Sequence, residues 1–239
     1  SAMSSIADNI SAVQQRVQHA LHSAGRADNT VQLLAARKTK PTEDIVAAHA
    51  AGLTAFGENY LQEADDKISA LAELSAVLDW HFIGPLQSNK TRRAAELFSW
   101  VHSVDRLKIA QRLAAQRPAN MAPLNICLQI NIDREESKSG LLPEQLAEVA
   151  EAVLLLPQLR LRGLMAIPQA RTDLAEQRQA FAEVRQLRDT LNVTLPGLRG
   201  QPMDTLSMGM SGDLEAAIAE GATIVRIGSD IFGARAPLG

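Results

Sequence analysis

The feature that most constrains this chain is an alternation. From Val31 onward, short apolar segments trade places with longer ones of helical periodicity, eight times over. The strand-like segments are Val31 to Arg37, Thr54 to Glu58, Trp80 to Ile83, Trp100 to Val104, Leu124 to Asn131, Leu159 to Ile167, Thr205 to Met208 and Thr223 to Ile227. Each is of strand length and is followed by a turn or helix signal. Between them come helix signals such as Pro41-Thr42-Glu43, which opens a helix ending near Gly52, and Pro143-Glu144, which precedes Leu146, Val149, Ala150, Val153 and Leu154 on one face. Strands joined through helices run parallel with right-handed crossovers, and eight such units close into a (β/α)8 barrel. The competing open, doubly wound sheet loses ground because no glycine-rich dinucleotide fingerprint follows the first strand.

Before the first strand, Ile6 to Ala24 places Ile10, Val13, Val17 and Leu21 at helical spacing and stops at Gly25, which predicts an extra leading helix. The 239 residues suffice for one sizeable core, and no linker or low-complexity stretch interrupts them, so residues 1–239 are expected to form a single domain. Ser1-Ala2 ahead of Met3 reads as the scar of a cleaved tag.

Composition narrows the function classes. A formal charge of −3 and an aromatic content of 3% argue against nucleic-acid and membrane-surface partners. The apolar run Val153-Leu154-Leu155-Leu156 stops at Pro157, far short of a membrane span. One cysteine, Cys127, sits in an apolar strand and reads as a buried structural thiol, in keeping with a reducing cytoplasm. The five histidines lack metal-ligand spacing, and His81 reads as a satisfied structural residue. No nucleophile elbow and no Walker pattern occurs.

Barrels gather their chemistry at the C-terminal ends of the strands. Lys38 and Lys40 lie at the end of the first strand. A lysine at a barrel mouth is partly desolvated, and its neutral amine can form an imine with an aldehyde. If the strand continued, the two lysines would share a face, so spacing does not choose between them. The small-residue turns Ser207 to Asp213 and Gly228-Ser229-Asp230 follow strands seven and eight, where barrels often bind phosphate; plain helix capping by Ser211, Asp213 and Ser229 is the alternative. Arg226, inside Ile224-Val225-Arg226-Ile227, needs a partner if buried: a ligand acceptor such as a ring nitrogen, or an internal carboxylate.

Six ordered stretches carry a family resemblance: Lys38-Thr39-Lys40-Pro41, Phe56-Gly57-Glu58-Asn59-Tyr60, His81 to Lys90, Gly163 to Pro168, Leu206 to Ser211, and Val225-Arg226-Ile227-Gly228. As a set the chain resembles the pyridoxal 5′-phosphate (PLP) homeostasis protein family, whose barrel is similar to the N-terminal domain of alanine racemase (PLP fold type III). The resemblance implies a PLP aldimine at Lys38, phosphate contacts from Ser211, Gly228 and Ser229, a pyridine-nitrogen contact from Arg226, and Asn59 and Met165 near the cofactor. It matches Lys138 to a lysine proposed to act in PLP exchange. Two departures stand out: Arg37 replaces an expected serine, and Gly212 stands where an acidic residue is common. On an alternating strand Arg37 is expected to face the surrounding helices, where a buried cation needs a partner.

The resemblance also implies a PLP carrier or buffer in vitamin B6 and amino-acid balance rather than an enzyme, with apo PLP-dependent enzymes as recipients and a monomeric state. An arginine on the ring nitrogen leaves the pyridine a poor electron sink. Alanine racemases, which the barrel resembles, take a second base from a separate β-domain; with Gly239 directly after the eighth unit that domain is expected to be missing here, and the one tyrosine of the sequence is Tyr60. A weak racemase-like PLP enzyme and a Schiff-base aldolase are the alternatives.

Overall fold

The computed structural model describes residues 5–37 and 39–233. Lys38, Ser1-Ala2 and the terminus at Gly239 lie outside the described residues. The chain runs α1 (Ile6–Ser23), β1 (Gln32–Ala36), α2 (Thr42–Ala50), β2 (Ala55–Glu58), α3 (Leu61–Ala70), α4 (Ala72–Ser75), β3 (Asp79–Phe82), α5 (Thr91–Leu97), β4 (Trp100–Val104), α6 (Leu107–Gln116), β5 (Leu124–Ile130), α7 (Leu146–Val153), β6 (Leu159–Ala166), α8 (Leu174–Thr194), β7 (Thr205–Ser207), α9 (Leu214–Ala219), β8 (Ile224–Ile227) and α10 (Ser229–Phe232).

All eight strands pair in parallel and in sequence order, and β8 closes on β1 with Leu34 level with Arg226 and Ala35 level with Ile227. This is the expected closed barrel. The helix expected over Tyr60 to Leu74 is divided at Leu71, whose φ of −108° and ψ of 35° end α3 and start the short α4. β1 stops at Ala36, one residue before the expected Arg37.

Alternation along the strands makes two cores. Outward-facing residues such as Ala35, Phe56, Leu128, Leu164 and Val225 pack against the helices in one continuous apolar layer. Inside the barrel a smaller cluster forms from Leu34, Ala55 and Ile224, with Ile83 and Trp100 against it. Polar side chains fill the interior around it: His81, His102, Ser207 and Arg226 are all buried.

The leading helix belongs to this architecture. Ser5 caps α1 by accepting from the Asp8 amide at 3.0 Å, and Gly25, at φ 68°, ends it in the left-handed conformation that side chains disfavour. Ile10, Val13, Val17, Ala20 and Leu21 form its buried face, and the helix packs on α2, α9 and α10. No described helix is long and apolar enough to cross a membrane.

Truncating Ile10, which is fully buried, to alanine is expected to lower the unfolding free energy by about 2–5 kcal/mol. Val193→Ala, at a site 74% exposed, should change it by less than about 0.5 kcal/mol. Urea unfolding of both variants checks this, and equal effects would contradict the packing assigned to α1.

Candidate functional site

The C-terminal ends of the strands enclose a cleft of about 740 Å³. Ala36 and Arg37 line it from β1, Asn59 and Tyr60 from the turn after β2, and Ile83 and Pro85 from the loop after β3. Ile167 follows β6; Met210, Ser211 and Gly212 follow β7; Arg226, Gly228 and Ser229 come from β8 and its turn. Of the expected site residues, Asn59, Ser211, Arg226, Gly228 and Ser229 therefore meet in one cavity. Met165 does not reach its wall: it is buried on β6, level with Gln129 and Ser207. Lys38 lies outside the described residues.

The second lysine of the pair is committed elsewhere. Lys40 is buried, donates to the Gly57 carbonyl at 2.8 Å and pairs with Glu58. Glu58 also receives Lys67 of α3 at 3.1 Å. Glu58 follows inward-facing Gly57, so this pair sits behind the barrel wall, under α3, and not at the mouth. Burial pulls the Lys40 ammonium down to about 8 against the attraction of Glu58.

Arg226 is 6% exposed. Its Nη2 donates to the Ala166 carbonyl at 3.2 Å, while its Nε has no hydrogen-bond partner. Among the described residues it forms no ion pair, so the internal carboxylate partner is not found. Burial lowers its guanidinium to about 10, with Asp213 acting against the shift. A buried cation that lines the cleft without a paired carboxylate is an arrangement that a ligand acceptor would complete.

Beside Arg226 runs a chain of neutral polar groups that the sequence did not announce. His81 Nδ1 lies 2.8 Å from His102 Nε2, and His102 Nδ1 lies 2.7 Å from Ser207 Oγ. His81 also stacks on Trp100 at 5.3 Å between ring centroids. Burial drives His81 down to about 3, and burial, then His81 and Arg226, push His102 well below the usual histidine range. His81 was expected to be satisfied; its Nε2 has no partner. Cys127 is a buried thiol, as expected, pushed up to about 12 by desolvation.

The two small-residue turns are not held by side-chain capping. Asp213 and Gly228 stand at the caps of α9 and α10 without a side-chain cap bond, and the Asp213 carboxylate instead accepts from the Met210 amide at 2.8 Å. Burial raises the Asp213 carboxyl. Gly228 is sterically required, because a Cβ there would lie 2.3 Å from the Ala36 carbonyl oxygen. Gly84 similarly lets the loop after β3 pass the backbone of Asn59, whose carbonyl oxygen a Cβ would meet at 2.0 Å. Gly212 faces open space, so the acidic residue common there would meet no steric barrier.

Arg37 corrects an expectation. It lines the cleft, and its guanidinium donates to the carbonyls of Thr39 at 2.7 Å, Phe232 at 3.1 Å and Gly233 at 2.7 Å. Because β1 ends at Ala36, the alternation argument no longer applied one residue later. The cation is half-buried and partnered by carbonyls rather than by a carboxylate. Lys138 is not on the cleft wall. It pairs with Asp133 at 2.6 Å, and Asp133 also accepts from the Gln169 amide and Arg171. Burial opposes ionisation of Asp133, yet these bonds hold its carboxyl below the usual range. The loop after β5 is thereby stitched to the loop after β6. Among the described residues no cluster of histidine, cysteine and carboxylate side chains could hold a metal ion.

Comparison with known proteins places this site in context. Residues 3–236 match the family described as alanine racemase, N-terminal domain. A Pseudomonas aeruginosa protein named pyridoxal phosphate homeostasis protein is 60% identical over 233 residues, covering 98% of this chain and 97% of that protein. The protein of the same name from Escherichia coli K12 is 51% identical over 236 residues, covering 98% of each. The structure of PipY from Synechococcus elongatus with PLP bound has a TM-score of 0.82 at 36% identity, covering 95% of this chain and 100% of that one. Alanine racemase from Corynebacterium glutamicum shares the fold at 16% identity and a TM-score of 0.66, with this chain spanning 61% of its length.

The buried lysine–glutamate pair behind the wall has a measurable signature. Glu58→Ala leaves the Lys40 and Lys67 ammoniums uncompensated and is expected to cost about 3–5 kcal/mol in urea unfolding. Lys40 has a folded pKa of about 8 against 10.5 when unfolded. The unfolded chain therefore binds more protons between those values, and stability should rise with pH across that window. The rise should be smaller in Lys40→Met; identical pH profiles would contradict the burial of this ammonium.

Proposed function

We propose, from the premise that the chain belongs to the alanine racemase N-terminal-domain family and there groups with the pyridoxal phosphate homeostasis proteins, that it binds PLP in the cleft and carries or buffers it. The observation that carries this reading is Arg226, a buried cation that lines the cleft without a carboxylate partner among the described residues. It suits a pyridine nitrogen acting as acceptor. Ser211, Gly228 and Ser229 are the phosphate contacts in this reading, with Asn59 beside the ring and Met165 beneath the cleft. Lys38 is the residue that holds the aldehyde as an aldimine; the commitment of Lys40 to Glu58 supports that choice.

The chemistry favours storage over turnover. Bound PLP supplies an electrophilic aldehyde and, when its ring nitrogen is protonated, an electron sink. The Arg226 guanidinium would donate to that nitrogen and so keep it unprotonated, which would leave the sink weak. The protein's tasks are then to shield the aldehyde, to fix the phosphate and to release the cofactor to apo-enzymes. The wider role is in vitamin B6 and amino-acid homeostasis in the cytoplasm, as a monomer. A weak racemase-like enzyme is the second reading. Tyr60 favours it, because this sole tyrosine lies on the cleft wall, where a second proton-transfer group would be needed.

Mixed with an apo PLP-dependent enzyme, the PLP-loaded protein is expected to restore activity faster than PLP leaves the protein unaided. Transfer no faster than spontaneous release would overturn the carrier role. In deuterated buffer, amino acids should exchange their α-proton no faster with the loaded protein than with free PLP. Exchange at enzymic rates that depends on both Lys38 and Tyr60 would establish the second reading instead.

A further inference from the structure

We propose that Arg16 of the leading helix is a positioning residue that fixes the two loops on the phosphate side of the cleft and so sets the preference for a phosphorylated over an unphosphorylated ligand. The inference rests on the PLP reading above and deepens it. Arg16 Nη2 donates to the Ser211 carbonyl at 2.6 Å. The same guanidinium binds both carboxylate oxygens of Glu215 on α9, at 2.8 to 3.0 Å, and its Nη1 lies 3.9 Å from Asp230 on α10. One side chain thus touches the turn after β7, the helix that follows it and the helix after β8. Asn9, two turns earlier on α1, donates to the Ile231 carbonyl at 2.9 Å and adds a second tie to α10.

The orientation of one peptide links this tether to the ligand. In a trans peptide the carbonyl and the next N–H point in opposite directions. With the Ser211 carbonyl held outward on Arg16, the Gly212 N–H is turned the other way, and Ser211 and Gly212 both line the cleft. Arg16 therefore acts through the backbone: it presents an amide donor without touching the ligand itself. A rigid base makes this effective, since α1 is an 18-residue helix with its apolar face buried in the core. The guanidinium is matched to the task because its planar fork grips both oxygens of the Glu215 carboxylate while a further N–H serves the Ser211 carbonyl, a fixed geometry that a single-nitrogen ammonium does not reproduce.

The test compares PLP with pyridoxal, which lacks the phosphate, using the absorbance change on binding to wild type, Arg16→Ala and Arg16→Lys. Arg16→Ala is expected to weaken PLP binding about tenfold while leaving pyridoxal binding unchanged. Arg16→Lys should recover part of the loss. Equal weakening of both ligands would show a general structural role and overturn the proposal, as would unchanged binding of both. If wild-type protein itself failed to prefer PLP over pyridoxal, the phosphate assignment would fall, and this inference with it. Arg16 is 36% exposed, so the variants should fold, and matching urea midpoints for the three proteins check that they do.

Discussion

The closure of β1 onto β8 is the contact on which the cleft depends. It sets Leu34 level with Arg226, so the arginine's strand is held against the first strand of the barrel. It also brings the Ala36 carbonyl so near Gly228 that only glycine fits. Arg37, just past the end of β1, then finds the carbonyls that end α10. The beginning and the end of the barrel sequence thus build one wall of the same cavity. The leading helix reinforces that seam from outside, through apolar packing on α9 and α10 and through Arg16 and Asn9.

Charge placement follows from which side of the wall each residue occupies. Lys40 and Glu58 neutralise each other behind the sheet, with Lys67 completing the pair. Arg226, on the inner side, has no such carboxylate and is surrounded by groups held neutral: His81, His102 and Ser207. Burial is the main cause that keeps His102 neutral, with His81 and then the Arg226 cation adding to it. Among the described residues Arg226 is thereby left as a guanidinium without an ion-pair partner on the cleft, which suits an acceptor or an anion and disfavours a cationic ligand.

Much of this was legible in the sequence. The alternation of strand-like and helix-like segments marked all eight strands, and β4 was located to the residue. The strand ends then pointed to Ser211, Arg226, Gly228 and Ser229, since a barrel brings those ends together whatever their separation along the chain, and the family resemblance added Asn59. Local reasoning failed where contacts join distant positions. His81 meets His102 across 21 residues, His102 meets Ser207 across 105, and Arg16 meets Ser211 across 195. No local pattern marks any of them. The choice between Lys38 and Lys40 was illegible for another reason: alternation predicts facing only while a strand lasts, and β1 ends at Ala36. The proposed involvement of Met165 came from resemblance alone; it is buried level with Ser207 in the barrel, beneath the cleft rather than on its lining.

The central claim is that the cofactor is held by Lys38 while Lys40 is occupied elsewhere. It is tested most directly by adding PLP to the protein, reducing with borohydride and locating the adduct by peptide mass spectrometry. The account predicts one adduct, at Lys38, absent from Lys38→Ala. An adduct at Lys40 would contradict the buried pairing with Glu58, and no specific adduct would contradict the PLP reading of the cleft itself.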